Sequence, residues 1–184
     1  MGFSELNVYA MPKMKEYLST SGPWSQMVNY KNIKITDLMA SEGVRLSENI
    51  TITPFLVPHR DEYSETVGYE ITGPNSSIIF IPDINKWSIW EQDIKDLVTR
   101  VDFLFLDGSF YKNGEIPGRD MSSFPHPFIE ESMSLFSTLP DNQKEKIYFI
   151  HLNHTNPALH EGIERNEIEA SGYNVAKQLQ IVRL

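Results

Sequence analysis

The sequence predicts a mixed α/β domain, and three observations carry that prediction. The early part reads as short strands joined by turns, and the later part alternates strand, helix and strand. Several of the strands are unbroken apolar runs, such as FLFL and YFI, of the kind that lie inside a sheet. The chain has 184 residues, 40% hydrophobic and 22% charged, which is enough for one domain with a real core.

Taken in order, NVYA predicts a short strand, and KMKEYLST after Pro12 predicts a helix. PWSQMV is a brief helical turn. VRLSENITITPFLV holds two short strands split by the polar SEN. VGYEITGPNSSIIFI predicts a hairpin whose turn is supplied by Gly73, Pro74 and Asn75. NKWSIWEQDIKDLVTRV predicts the clearest helix, with Trp87, Trp90, Ile94, Leu97 and Val98 at helical spacing and both tryptophans packed into the core. DFLFLD predicts a buried strand, PFIEESMSLFSTL a helix, and KIYFI another buried strand. GIERNEIEASGY predicts a helix ending at Gly172, and QLQIVRL a closing strand. No repeat, low-complexity tract or linker divides the chain, so residues 1–184 read as a single domain.

Charge and composition narrow the function. Sixteen basic against 25 acidic residues give a net charge of −9, which opposes non-specific binding to phosphate backbones and argues against nucleic acid as a partner. With no cysteine there is neither a disulfide nor a thiolate site, so any metal must sit on histidine and carboxylate. The N-terminal segment has no apolar core of signal-peptide type and no window approaches a membrane span, so a cytoplasmic location is expected.

Four segments share one form. FLVPH, IIFIPD, FLFLD and YFIH are apolar runs of strand length that end on His59, Asp83, Asp107 and His151. In α/β sheets, ligands collect beyond the carboxyl ends of strands. Singly, each residue has a plain explanation: Asp83 as a turn former or helix cap, His59 as a solvated loop histidine. Repeated four times, the form points to a shared site. Two imidazoles and two carboxylates suit zinc, iron or manganese. His126 lies between Pro125 and Pro127, which restrict the backbone and hold the imidazole in one direction. Such a histidine suits proton transfer near neutrality; the alternative is that the prolines only start the following helix.

Together, VPHRDEYSETVGYEI, IIFIPDINKW, FLFLDGSFY and YFIHLNHTNPAL resemble the metallo-β-lactamase superfamily. The resemblance is greatest to its pyrroloquinoline quinone biosynthesis protein B branch, which VYAMPKMKEYLSTSGPWSQMV and GRDMSSFPHP also fit. It implies the C-terminal portion of an αββα sandwich, a mixed sheet with flanking helices. It further implies that His59, Asp83 and His151 are metal ligands, with Asp83 bridging two ions. His126 would assist catalysis, Asp107 would be a supporting acid, and Arg119 would meet an anionic group of the substrate.

The sequence departs from the family in lacking its His-x-His-x-Asp-His motif. Residues 1–184 are therefore expected to form a partial domain, without the N-terminal part that carries the motif. By resemblance each ion keeps two ligands, where a catalytic zinc site has three, so metal binding by this chain alone is expected to be weak or absent. A sheet without its partner layer would expose an apolar face, so a homodimer or a complementing N-terminal fragment is expected as partner. The function implied is a metal-dependent hydrolase or oxidoreductase acting on a small-molecule or peptide-derived substrate. The alternatives are a phosphodiesterase resembling ribonuclease Z and a non-catalytic truncated remnant.

Overall fold

A computed structural model describes residues 4–184. The chain opens with β1 (Leu6–Ala10), α1 (Pro12–Thr20), α2 (Trp24–Asn29) and β2 (Ile33–Asp37). β1 and β2 pair in parallel as a separate two-stranded sheet, with the two helices as the crossover. The alternating Ile33 and Ile35 of β2 mark a strand to which the sequence reading assigned nothing.

The main sheet follows, with β3 (Val44–Arg45), β4 (Thr51–Leu56), β5 (Val67–Thr72), β6 (Ser77–Ile81), β7 (Phe103–Asp107), β8 (Ile147–Ile150) and β9 (Asn174–Val175). These seven strands lie side by side in sequence order. β3 to β6 are antiparallel neighbours, and β6 to β9 are parallel. The parallel half needs crossovers, and the helices α3 (Ile94–Arg100), α4 (Ile129–Phe136), α5 (Asp141–Lys144) and α6 (Ile163–Ala170) lie in them.

Why the later strands are continuously apolar follows from their position in the sheet. Ile79, Ile81, Leu104, Leu106, Ile147 and Phe149 share one face by register and are fully buried. They form one core with Ile94, Leu97 and Val98 of α3, Ile129 and Phe136 of α4, and Ile168 of α6. On the opposite face Phe80, Phe103, Phe105 and Tyr148 are half-buried, and Tyr148 lies against the rings of Phe103 and Phe105 at 6.2 and 5.2 Å. A buried cation fastens the last crossover. Arg165 of α6, 6% exposed, donates to the carbonyls of Ala158 and Val175 and pairs with Glu169. Leaving buried carbonyls without a donor costs about 1–3 kcal/mol each, so this side chain ties α6 to the edge of the sheet.

Two expected elements differ. The single helix over residues 85–101 is interrupted: Trp87–Ile89 make a 3-10 turn, Trp90 is extended, and α3 begins only at Ile94. Asp93 caps α3 by accepting the Lys95 N–H, which gives the chain a reason to restart there. Trp87 and Trp90 still pack against the core, from the turn rather than from a helix face. The closing strand QLQIVRL does not form. The last strand is β9, and the following tail, with Leu179 and Ile181 exposed, runs to the β5–β6 turn, where Ser76 and Asn75 donate to the carbonyls of Arg183 and Leu184.

Candidate metal centre

Strand directions bring the four acid- and histidine-bearing ends together. β5 is antiparallel to both β4 and β6, so β4 runs the same way as β6, β7 and β8. All four deliver their carboxyl ends to one end of the sheet. His59 lies three residues past β4, Asp83 two past β6, Asp107 closes β7, and His151 directly follows β8. His126 enters the same space from the loop before α4.

Ligand atoms of His59, Asp83 and His126 lie within 4.8 Å of one another, and so do those of Asp83, Asp107 and His151. Asp83 belongs to both groups. By resemblance each ion had two ligands; the geometry gathers three side chains around each position, because His126 and Asp107 reach the same space.

Hydrogen bonds distinguish the five residues. Asp107 is completely buried: one oxygen accepts the Ile84 N–H and faces His126 Nδ1 at 2.8 Å, and the other accepts the Ser109 N–H. His126 is thereby committed at Nδ1, leaving Nε2 for other work. Burial alone would lower its proton affinity, but the Asp107 hydrogen bond and the charges of Asp107 and Asp83 outweigh burial, and the pKa is raised. His59 faces the Asn85 side-chain oxygen through Nδ1 at 3.0 Å, while its Nε2 stands 3.1 Å from Asp83 Oδ1. His151 has Ser109 Oγ at 2.9 Å from Nδ1, and its backbone is left-handed, with φ of 61°. Few side chains adopt that conformation, although histidine is among those that do.

Asp83 shows what chemistry the site accepts. Its side chain is 34% exposed, yet Oδ1 is buried and has no hydrogen-bond donor. An unpaired buried carboxylate oxygen is costly unless a cation meets it. Beside it stand a histidine nitrogen at 3.1 Å and another at 3.4 Å. An oxygen and nitrogen donor set without sulfur fits a borderline or hard divalent ion, so the residues present fit a metal.

Arg119 lies outside both groups. It is exposed and its guanidinium sits 4.7 Å from the Phe124 ring centre. Phe124 meets Phe110 at 5.3 Å, and Phe110 meets His126 at 5.9 Å, so a row of rings links Arg119 to the centre. His154 is in neither group. Two polar residues at the site escaped the sequence reading, Asn85 and Ser109. A signal for them exists: each stands two positions after a strand-end acid, in DIN and DGS, where an extended chain returns side chains to the same side.

The loops are held from outside. Asn156, 1% exposed, donates to the Gly108 carbonyl and accepts from Ala158 N–H, joining the loop after β8 to the loop after β7. The loop carrying His59 is closed by Val57 N–H donating to Thr66, and Glu65 from the same loop accepts the Lys13 N–H at the start of α1.

Comparison with known proteins agrees with this architecture. The model of a beta-lactamase superfamily domain matches residues 3–152. Coenzyme PQQ synthesis protein B of Acinetobacter baylyi is 27% identical over 183 residues, an alignment covering 86% of this chain and 58% of that protein. Among solved structures, Zn(2+)-bound PqqB from Methylobacterium extorquens superposes with a TM-score of 0.74 at 22% identity, over 98% of this chain and 63% of that one. A diphosphatase from the PhnP family gives a TM-score of 0.57 at 21% identity, over 94% and 56%. The chain thus spans less than two thirds of the length of these relatives.

Proposed function

Because this chain belongs to the metallo-β-lactamase superfamily, we propose that its strand-end cluster is a divalent-metal centre for hydrolytic chemistry, with zinc as the first ion to consider. The observation that carries the proposal is Asp83, which both groups of side chains share and whose Oδ1 is buried without a hydrogen-bond partner. In this reading His59, Asp83 and His151 hold the metal, as the family resemblance implies; both oxygens of Asp107 already have hydrogen-bond partners, and His126, bound to Asp107 through Nδ1, is kept for proton transfer. Zinc in such a site polarises a substrate oxygen and lowers the pKa of bound water. His126, kept in place by Asp107 and with its proton affinity raised, holds a proton for the leaving group. Arg119, stacked on Phe124, meets an anionic group of a small-molecule or peptide-derived substrate. Affinity is modest, since each ion has one histidine and the shared aspartate as uncommitted protein ligands.

A cobalt(II) titration of the metal-free chain tests the proposal, followed by zinc competition and elemental analysis. The expected result is a visible cobalt spectrum that zinc displaces and a chelator reverses. No uptake of either ion at large excess would overturn the metal reading. With metal bound, chromogenic phosphodiester and ester substrates separate the reaction classes, and turnover of the phosphodiester alone would favour the phosphodiesterase alternative.

A further inference from the structure

One imidazole at the centre has its proton placed by a neighbour that nothing so far has given a role. Neutral histidine carries one ring proton, and a ring nitrogen binds metal only through its lone pair. The partner of the other nitrogen decides which one is free. For His59 that partner is the side-chain oxygen of Asn85, 3.0 Å from Nδ1. A carbonyl oxygen only accepts, so the proton lies on Nδ1 and the lone pair on Nε2.

With that tautomer, the Nε2 lone pair and Asp83 Oδ1, 3.1 Å apart, face one position that a common cation would occupy. Asn85 itself is fixed, because its backbone N–H donates to the Pro58 carbonyl at 2.7 Å, directly beside His59. Ser109 does not act on His151 in this way, since a hydroxyl donates or accepts equally well and fixes no tautomer.

From this we infer that Asn85 is a positioning residue which sets the His59 tautomer and so presents Nε2 to the metal. The inference rests on the metal-centre reading above, but one of its readouts does not require metal. Nitrogen-15 NMR of the histidine rings, recorded on the metal-free full chain at about pH 8, above the ordinary histidine range, reports where the proton sits. The wild-type chain is expected to carry it on Nδ1 of His59. Asn85→Leu removes the acceptor, so the proton moves to Nε2, where it faces Asp83 Oδ1 as acceptor. Asn85→Asp keeps an acceptor at the same place and restores the Nδ1 proton.

Zinc affinity should follow the tautomer. Asn85→Leu is expected to bind zinc about 10–100-fold more weakly than wild type, and Asn85→Asp at least as tightly as wild type. Circular dichroism confirms that each variant is folded, and the aspartate variant keeps the test decisive if the leucine variant is not. A wild-type proton on Nε2 would overturn the inference, as would Asn85→Leu with wild-type tautomer and zinc affinity. A wild-type Nδ1 proton without zinc uptake would overturn the metal reading while leaving the Asn85 assignment standing. Zinc uptake with an Nε2 proton would do the reverse.

Discussion

Asp83→Ala is expected to abolish zinc uptake, lowering affinity by at least about 100-fold, since even the outer partners of metal ligands are worth about 10–100-fold. The reason is its place in the geometry. Asp83 alone belongs to both groups, with Oδ1 3.1 Å from His59 Nε2 and 3.4 Å from His126 Nδ1. His59→Ala and His151→Ala each remove a residue from one group only. They should therefore lower the number of ions bound per chain, where Asp83→Ala brings it to none. Elemental analysis after gel filtration measures that number. A folded Asp83→Ala chain that keeps its zinc would show that the ion sits elsewhere.

Asp107→Ala is expected to act on the fold as much as on the site, destabilising the chain by about 3–5 kcal/mol. The carboxylate is fully buried and accepts from the Ile84 and Ser109 N–H groups. Removing it leaves two donors without an acceptor in an apolar setting, and His126 loses the contact that orients it. Ile84 adjoins Asp83 in the chain and Ser109 meets His151, so the loops that carry Asp83 and His151 loosen together. Urea denaturation measures the loss as a lower midpoint at unchanged slope. A change under 1 kcal/mol would mean that water replaces the carboxylate, and that the acid does not organise the centre.

Much of this arrangement was legible in the sequence, for a physical reason. Residues 78–81, 103–106 and 147–150 are apolar on both faces, which only interior strands tolerate, and each stops abruptly at polar chemistry. His59, Asp83, Asp107 and His151 could therefore be named before their distances were known. Convergence itself was not legible, because it depends on β5 lying between β4 and β6 and turning the chain twice. The single helix expected over residues 85–101 is broken: tryptophans in a 3-10 turn can meet the same core as a helix face, so spacing alone cannot distinguish them. QLQIVRL has strand composition, but β9 is only two residues long, and the tail leaves the sheet after it to meet the β5–β6 turn. Strands are made by neighbours as much as by their own residues. Asn85 and Ser109 were missed because a small polar residue in a loop looks the same whether or not it touches a histidine.

The left-handed backbone at His151 sets durability against chemistry. That φ of 61° is a conformation glycine adopts freely and a side chain adopts at a cost. Selection for heat resistance alone would favour glycine at this position, trading a ligand for a relaxed turn. On the metal-centre reading, histidine is kept there only where a bound ion offsets the strain, so a relative with glycine at this position is expected to have lost the centre.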